Sequence, residues 1–94
     1  MPREERIRID KWLWHARLYR TRVLAQRAAE AGLMRLNGAR VVKSGHDVKL
    51  GDVLTVPQGR EVLVVRVVAF GVRRGPAQEA RALYEIVAGS TLDP

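Results

Sequence analysis

Apolar positions in the first third of the chain recur at helical spacing. Ile9, Leu13 and Ala16 stand at i, i+4 and i+7 with Trp12 beside them, while Lys11, His15 and Leu18 fall on another face. Asp10 occupies the place of an N-cap, so a first helix is expected from Lys11 to about Leu18 or Tyr19. Thr21 is a second N-cap candidate, and the run from Arg22 to Ala31 is rich in good helix formers. Leu24, Ala25, Ala28 and Ala29, with Ala31 nearby, give this second helix an inner face of mostly small residues that allows close approach to the first. Gly32 is the expected left-handed stop. The connector between the helices is only about two residues, which predicts a tight αα corner.

Beyond Gly32 the helical period gives way to short apolar runs broken by turn residues. Leu33–Leu36 and Ala39–Val42 flank Asn37-Gly38, a strong hairpin signal because a type I′ turn needs positive φ at both central positions. A polar loop from Ser44 to Asp47 leads to Val48–Leu50, a Gly51-Asp52 turn, and a short strand Val53–Val56 that Pro57 is expected to end. Gln58-Gly59 turns the chain into a long β-branched run, Glu61–Phe70, which reads as a partly or wholly buried strand. After the basic loop Gly71–Pro76, a short helix is expected over Ala77–Tyr84, with Pro76 at N1 and Ala80, Leu83, Tyr84 and Val87 toward the core. The pattern predicts an α+β fold: two short helices and a hairpin on a small, mostly antiparallel sheet, with a short C-terminal helix. It is read as a single domain, with a frayed lead-in at 1–6, a core at about 7–56, β support and a helix at 57–87, and a disordered tail at 88–94.

Composition narrows the function. Ninety-four residues hold one modest core, with no room for a separate catalytic domain. The absence of cysteine excludes a disulfide framework and a thiolate metal site, and His15 and His46 are too few and too scattered for a metal centre. The longest apolar run, Val62 to Phe70, is nine residues and is interrupted by Arg66, whereas a spanning helix needs about 20. The charged start, MPREERIR, has no apolar stretch behind it and does not read as a signal peptide. A cytoplasmic protein without a membrane partner is expected.

Charge is concentrated. Between Arg8 and Lys43 lie nine basic side chains (Arg8, Lys11, Arg17, Arg20, Arg22, Arg27, Arg35, Arg40 and Lys43) against Asp10 and Glu30 alone. That local excess equals the net +7 of the whole chain, so everything outside it sums to zero. Confining this charge costs self-repulsion that an ordinary surface would relieve, which points to a polyanion. Arg17, Arg20 and Arg22 gather where the second helix presents unpaired amides, and Arg35, Arg40 and Lys43 arrive from the hairpin. Arginine in place of lysine favours bidentate grip on phosphate. Arg73 and Arg74 offer a secondary contact.

Other candidates have blander readings. Trp12, Trp14 and Tyr19 could stack on unpaired bases, but Trp12 adjoins the apolar stripe and core packing is favoured for it. Trp14 is expected to be exposed or to lie under the C-terminal half. Asp10 reads as a cap and an ion-pair partner for Arg8, Lys11 or Arg17 rather than as a catalytic acid. His15 could contact phosphate or base, or simply be exposed. No Ser-His-Asp or Cys-His set, P-loop or dinucleotide pattern can be assembled, so nothing suggests an enzyme or a cofactor.

The residues from Ile7 to Val56 resemble the S-four, or αL, RNA-binding domain. The resemblance lies in Arg8-Ile-Asp-Lys-Trp-Leu13, Arg20-Thr21-Arg22, Ala25, Gly32, the strand into Asn37-Gly38-x-Arg40-Val41, Lys43, and the Gly51-Asp52 turn. Within that superfamily the chain is most similar to the heat-shock fifteen-kilodalton protein family, through Asp10-Lys-Trp-Leu-Trp14, Ala16-Arg17, Tyr19–Arg22 and the later Arg73-Arg-Gly-Pro-Ala77, Glu79-Ala80 and Leu83-Tyr-Glu85. The resemblance implies binding to ribosomal RNA on a free large subunit that still carries a nascent chain on tRNA, in rescue or recycling of stalled subunits. Short relatives serve in ribosome quality control. It places RNA contacts on Arg8, Lys11, Arg17, Arg20, Thr21, Arg22, Arg35, Asn37, Arg40 and Lys43, in a protein expected to be monomeric when free. Longer family members continue into a basic extension, whereas this chain stops at Pro94, so contacts made by that extension are expected to be missing. A small helix-turn-helix-like DNA-binding protein is the main alternative, although the outer face of the second helix offers mainly Gln26, Arg27 and Glu30 for base reading.

Overall fold

The fold was determined as a computed structural model, which describes residues 5–91. Element order is β1 (Arg6–Arg8), α1 (Ile9–His15), α2 (Arg22–Glu30), β2 (Met34–Leu36), β3 (Ala39–Val41), β4 (Asp47–Lys49), β5 (Val53–Gln58), β6 (Glu61–Val67), α3 (Ala77–Arg81) and β7 (Tyr84–Thr91). β1 and β4 pair antiparallel, and a second antiparallel sheet has the order β3-β2-β5-β6-β7. The α+β architecture is therefore as expected, with α1 and α2 packed together and α3 leading into the edge strand. No helix among the described residues is long and apolar enough to cross a membrane.

The core forms where the α1 stripe meets the sheet. Ile9, Trp12, Leu13 and Ala16 are buried with Ala25 and Ala29 of α2 and with Met34, Val41, Val48, Leu54, Val56, Val65, Val67 and Leu83. The small side chains at 25 and 29 let the helices approach, as the pattern required. Leu24 does not join them; it is 43% exposed. Trp12 is fully buried, donates its indole N–H to the Ala69 carbonyl at 2.8 Å, and meets the Tyr84 ring edge-on at 6.5 Å. Its polar atom is thereby satisfied, which burial of an indole requires.

Several boundaries differ from expectation for identifiable reasons. α1 begins one residue before Asp10, so Arg8 is the N-cap and Asp10 lies in the first turn. The helix stops at His15 rather than near Tyr19 and is followed by a six-residue connector rather than a two-residue corner. Its end is a Schellman-type closure: Arg17 N–H donates to the Trp14 carbonyl and Leu18 N–H to the Leu13 carbonyl. The left-handed position that closure needs is filled by Arg17, at φ 59°, where glycine is usual. Gly32 ends α2 at φ 75° with the expected geometry.

The β-region holds further corrections. Pro57 lies inside β5, opposite Val62, because β2 has already ended and no partner on that side needs its missing N–H. β6 ends at Val67 instead of Phe70, and the carbonyls of Ala69 and Phe70 accept from Trp12 and His15. α3 is only five residues, with Pro76 at the N-cap and not N1. Ala80 and Leu83 are buried and Tyr84 half-buried as expected, but Val87 is exposed. Residues 88–91, expected to be disordered, continue β7 against β6, with Leu63 opposite Gly89 and Glu61 opposite Thr91. Arg6, expected in the frayed lead-in, starts β1; residues 1–4 and 92–94 lie outside the described residues.

Candidate nucleic-acid interface

Asp10 organises the basic region from beneath. Its carboxylate is fully buried and accepts two hydrogen bonds from Arg8, at 3.1 and 3.0 Å, and one from Gln26 of α2 at 3.1 Å. Arg22 Nε stands 3.6 Å away and makes no hydrogen bond. Burial alone would push this carboxyl up. The Arg8 and Gln26 hydrogen bonds and the nearby Arg22 and Arg8 charges outweigh it and hold Asp10 below its ordinary value. The reciprocal hydrogen bond and charge raise Arg8. Asp10 thus pairs with the side chains of Arg8 and Arg22, not with those of Lys11 or Arg17, accepts from Lys11 N–H at 2.8 Å, and fastens β1 and α1 to α2. Gln26, expected on the outer face of the second helix as a base-reading side chain, turns inward to this carboxylate instead.

Thr21 is the N-cap of α2, its hydroxyl oxygen accepting from Leu24 N–H at 3.1 Å. This anchors the connector beside Arg20 and leaves Arg20 exposed, with no ion-pair partner among the described residues. Lys11, Arg27 and Lys43 are likewise exposed and without an acidic partner there. Glu30, the second acid of the basic stretch, is engaged by the Ser44 hydroxyl instead. That bond also fixes the segment after β3 against the C-terminal end of α2. Arg40 reaches the same end and donates through Nε to the Gly32 carbonyl at 3.0 Å. A side chain at Gly32 would meet the Arg40 guanidinium at 2.9 Å, so glycine is required there by packing as well as by φ. Basic groups consequently flank both ends of α2, a helix about 13 Å long.

The hairpin supplies the rest. Asn37 (φ 51°) and Gly38 (φ 87°) form the left-handed pair the sequence predicts. Asn37 is knitted into the fold: its side-chain oxygen accepts from Val53 N–H at 2.9 Å and its amide donates to the nearly buried Asp52 at 3.1 Å. Both ends of the side chain are used internally. Arg35 and Arg40 are directly opposed across β2 and β3, like charge against like charge. Such a pair is unfavourable unless an anion lies between or above it.

The expected residues therefore divide. Lys11, Arg20, Arg35 and Lys43 project charge that no acid offsets; Arg40 keeps its terminal nitrogens while its Nε holds Gly32. Arg17 is exposed but donates through Nε to the Gly75 carbonyl at 2.6 Å. Arg8 and Arg22 are partly committed to Asp10, and Thr21 and Asn37 are primarily structural. His15 is neither exposed nor in a position to touch phosphate: it is 2% exposed, with Nδ1 donating to the Phe70 carbonyl. Trp14 is half-buried under Arg74, whose guanidinium carbon lies 5.8 Å from the ring centroid.

The S4 domain family profile matches residues 7–54, the span from β1 into β5 that carries this cluster. The chain belongs to the S4 domain family, a family of RNA-binding domains. Among characterised relatives it is 45% identical over 84 residues to heat shock protein 15 of Escherichia coli, spanning 89% of this chain and 62% of that protein. It is also 38% identical over 82 residues to the RQC P-site tRNA stabilizing factor of Halalkalibacterium halodurans, covering 85% of this chain and 89% of the relative. The structure superposes on the trimeric structure of Vibrio cholerae heat shock protein 15 with a TM-score of 0.83 and 38% identity, covering 89% of this chain and 84% of that one. The chain spans less than two thirds of the Escherichia coli protein it matches.

Proposed function

We propose that the chain binds structured ribosomal RNA on the large subunit through the surface formed by α1, α2 and the β2–β3 hairpin, and that it does so without catalysis. The observation that carries this reading is the charge arrangement: Arg35 opposite Arg40, with Lys11, Arg20 and Lys43 unmatched, in a region whose two acids are turned to structural work. Phosphates are the natural counter-charge, and arginine forks suit them. The names of the relatives add the ribosomal setting, since one is called a P-site tRNA stabilizing factor of the RQC and others are heat shock proteins. The reading extends to a free large subunit that still carries a nascent chain on tRNA, with a cytoplasmic site of action and a role in stalled-subunit rescue. Arg20, Arg35, Arg40 and Lys43 supply phosphate contacts, Lys11 and Arg17 border them, and Arg8, Thr21, Arg22 and Asn37 hold the frame. The free chain is proposed to be a monomer, whereas the Vibrio cholerae structure is described as trimeric; sedimentation of the chain with and without RNA distinguishes the two.

Binding to a folded large-subunit RNA fragment, measured against salt, tests the proposal. Log K is expected to fall by roughly 0.7–0.9 per unit log salt for each phosphate contact, and Arg20→Ala with Lys43→Ala is expected to lower that slope by roughly 1.5. Large subunits carrying peptidyl-tRNA should be retained better than empty ones. A flat salt dependence, or preference for duplex DNA of matched length, overturns the reading.

A further inference from the structure

The loop between β6 and α3 lies outside the span matched by the S4 family, yet it is bolted to α1. Besides the Trp12 indole N–H on the Ala69 carbonyl, three contacts hold it. Arg17 donates to the Gly75 carbonyl at 2.6 Å, His15 to the Phe70 carbonyl at 3.1 Å, and Arg73 closes the loop through a two-pronged contact with Glu79 at 3.0 Å. Gly75 is buried, and a Cβ there would fall 1.8 Å from the Glu79 carboxylate, so a larger residue would displace that carboxylate from Arg73.

Of the loop's two arginines, Arg73 is neutralised by Glu79 and Arg74 is not. Arg74 is half-buried, its guanidinium carbon over the Trp14 ring at 5.8 Å from the centroid, and Trp14 is in turn tilted against the His15 ring at 5.8 Å. None of its nitrogens donates to an acceptor among the described residues, and its buried Nε is unsatisfied. The neighbouring acceptors are taken: Gly75 by Arg17, Phe70 by His15 and Glu79 by Arg73. An arginine that served only to pack would cost less as an apolar side chain, because a buried donor left unpaired is unfavourable. With Nε covered, the edge formed by the two terminal nitrogens remains to take a ligand.

We propose that Arg74, whose guanidinium lies over the Trp14 ring and whose chain neighbour Gly75 is bound by Arg17, is a second backbone-phosphate site that extends the RNA contact beyond the S4 region; the proposal rests on the RNA-binding reading. Arg17 reaches the Gly75 carbonyl from the end of α1, and Arg74 precedes Gly75 in the loop. A nucleic-acid strand already held at Arg20 would meet this segment next along the α1 end. Partial burial against Trp14 restricts Arg74 before RNA arrives, so less side-chain freedom remains to be lost.

The test measures affinity and salt slope of the full chain for the same folded RNA fragment in three variants whose folding is checked by thermal melting. Arg74→Gln is expected to weaken binding roughly fivefold and to lower the slope by about one. Arg66→Gln, which removes the same charge where Glu85 already balances it, is expected to change neither. Arg74→Met keeps an apolar stem over Trp14 and gives the same loss if Arg74→Gln melts early. Wild-type affinity and slope in a folded Arg74 variant overturn this proposal. If Arg20→Ala with Lys43→Ala is weakened in the same assay, the RNA-binding reading survives that result; if it also binds as wild type, the reading itself falls.

Discussion

Two strand pairs in this molecule set arginine against opposite kinds of neighbour. In β6–β7, Arg66 stands across from Glu85 and forms an ion pair with it; in β2–β3, Arg35 stands across from Arg40. The same contrast separates the regions around them. On the C-terminal side Arg73 finds Glu79 and Arg81 lies over the Tyr84 ring, whereas in the S4 region Lys11, Arg20, Arg27 and Lys43 have no acidic partner among the described residues. Charge balanced within the fold is a structural device, and charge left unbalanced on a rigid frame is a binding device. Arg60 also lacks an acidic partner among the described residues but is exposed, whereas Arg74 is half-buried without one, and that is why it stands out.

The largest expected effect comes from removing the buried acid of the basic side. Asp10→Asn should cost about 2 kcal/mol, less than for a fully buried pair because Arg8 and Arg22 are each partly exposed, and should lower Tm by roughly ten degrees. The penalty should depend on pH in one direction. Because the native Asp10 carboxyl lies below its ordinary value, its contribution is complete at neutral pH and is lost as pH falls through the unfolded and then the native value. Melting curves of wild type and Asp10→Asn should therefore converge in acid; a gap that stayed constant down to pH 2 would refute the role given to this carboxylate.

A smaller effect of mixed sign is expected for Arg35→Glu, which turns the β2–β3 pair into a copy of the β6–β7 pair. Stability should rise by about 0.2–1 kcal/mol through the new opposite-charge pair with Arg40. RNA affinity should fall tenfold or more with a reduced salt slope, since one contact is lost and a repulsion gained. Parallel denaturation and binding titrations read both, and a rise in affinity would break the comparison. Smallest of all, Glu85→Ala should cost under about 1 kcal/mol, as exposed pairs do, and leave RNA binding unchanged.

Local signals in the sequence carried the fold where the chain itself sets the geometry. Asn37-Gly38, Thr21 and Gly32 do what their conformational preferences dictate, and the α1 stripe of Ile9, Leu13 and Ala16 is the core. The end of α1 was not legible because its left-handed position holds Arg17, a residue with no stop signal. His15 and Trp12 are fixed by carbonyls more than fifty positions away, which no local pattern reveals. β7 as a whole was not legible: Tyr84 reads as the end of a helix, and Ala-Gly-Ser-Thr at 88–91 has little strand character of its own and is ordered by its ladder with β6. For the site, residue type showed where charge accumulates, but the division between free and committed arginines depends on acceptors such as Asp10, Gly32 and Gly75, which only the fold brings near.

Asn37 has a consequence for how tightly such a surface can hold its partner. With its amide tied to Asp52 and its carbonyl oxygen to Val53, the hairpin tip is fastened to β5 before anything binds. The backbone entropy of ordering the tip is then lost during folding and is not subtracted from association. A looser hairpin carrying the same arginines would bind more weakly with every contact intact.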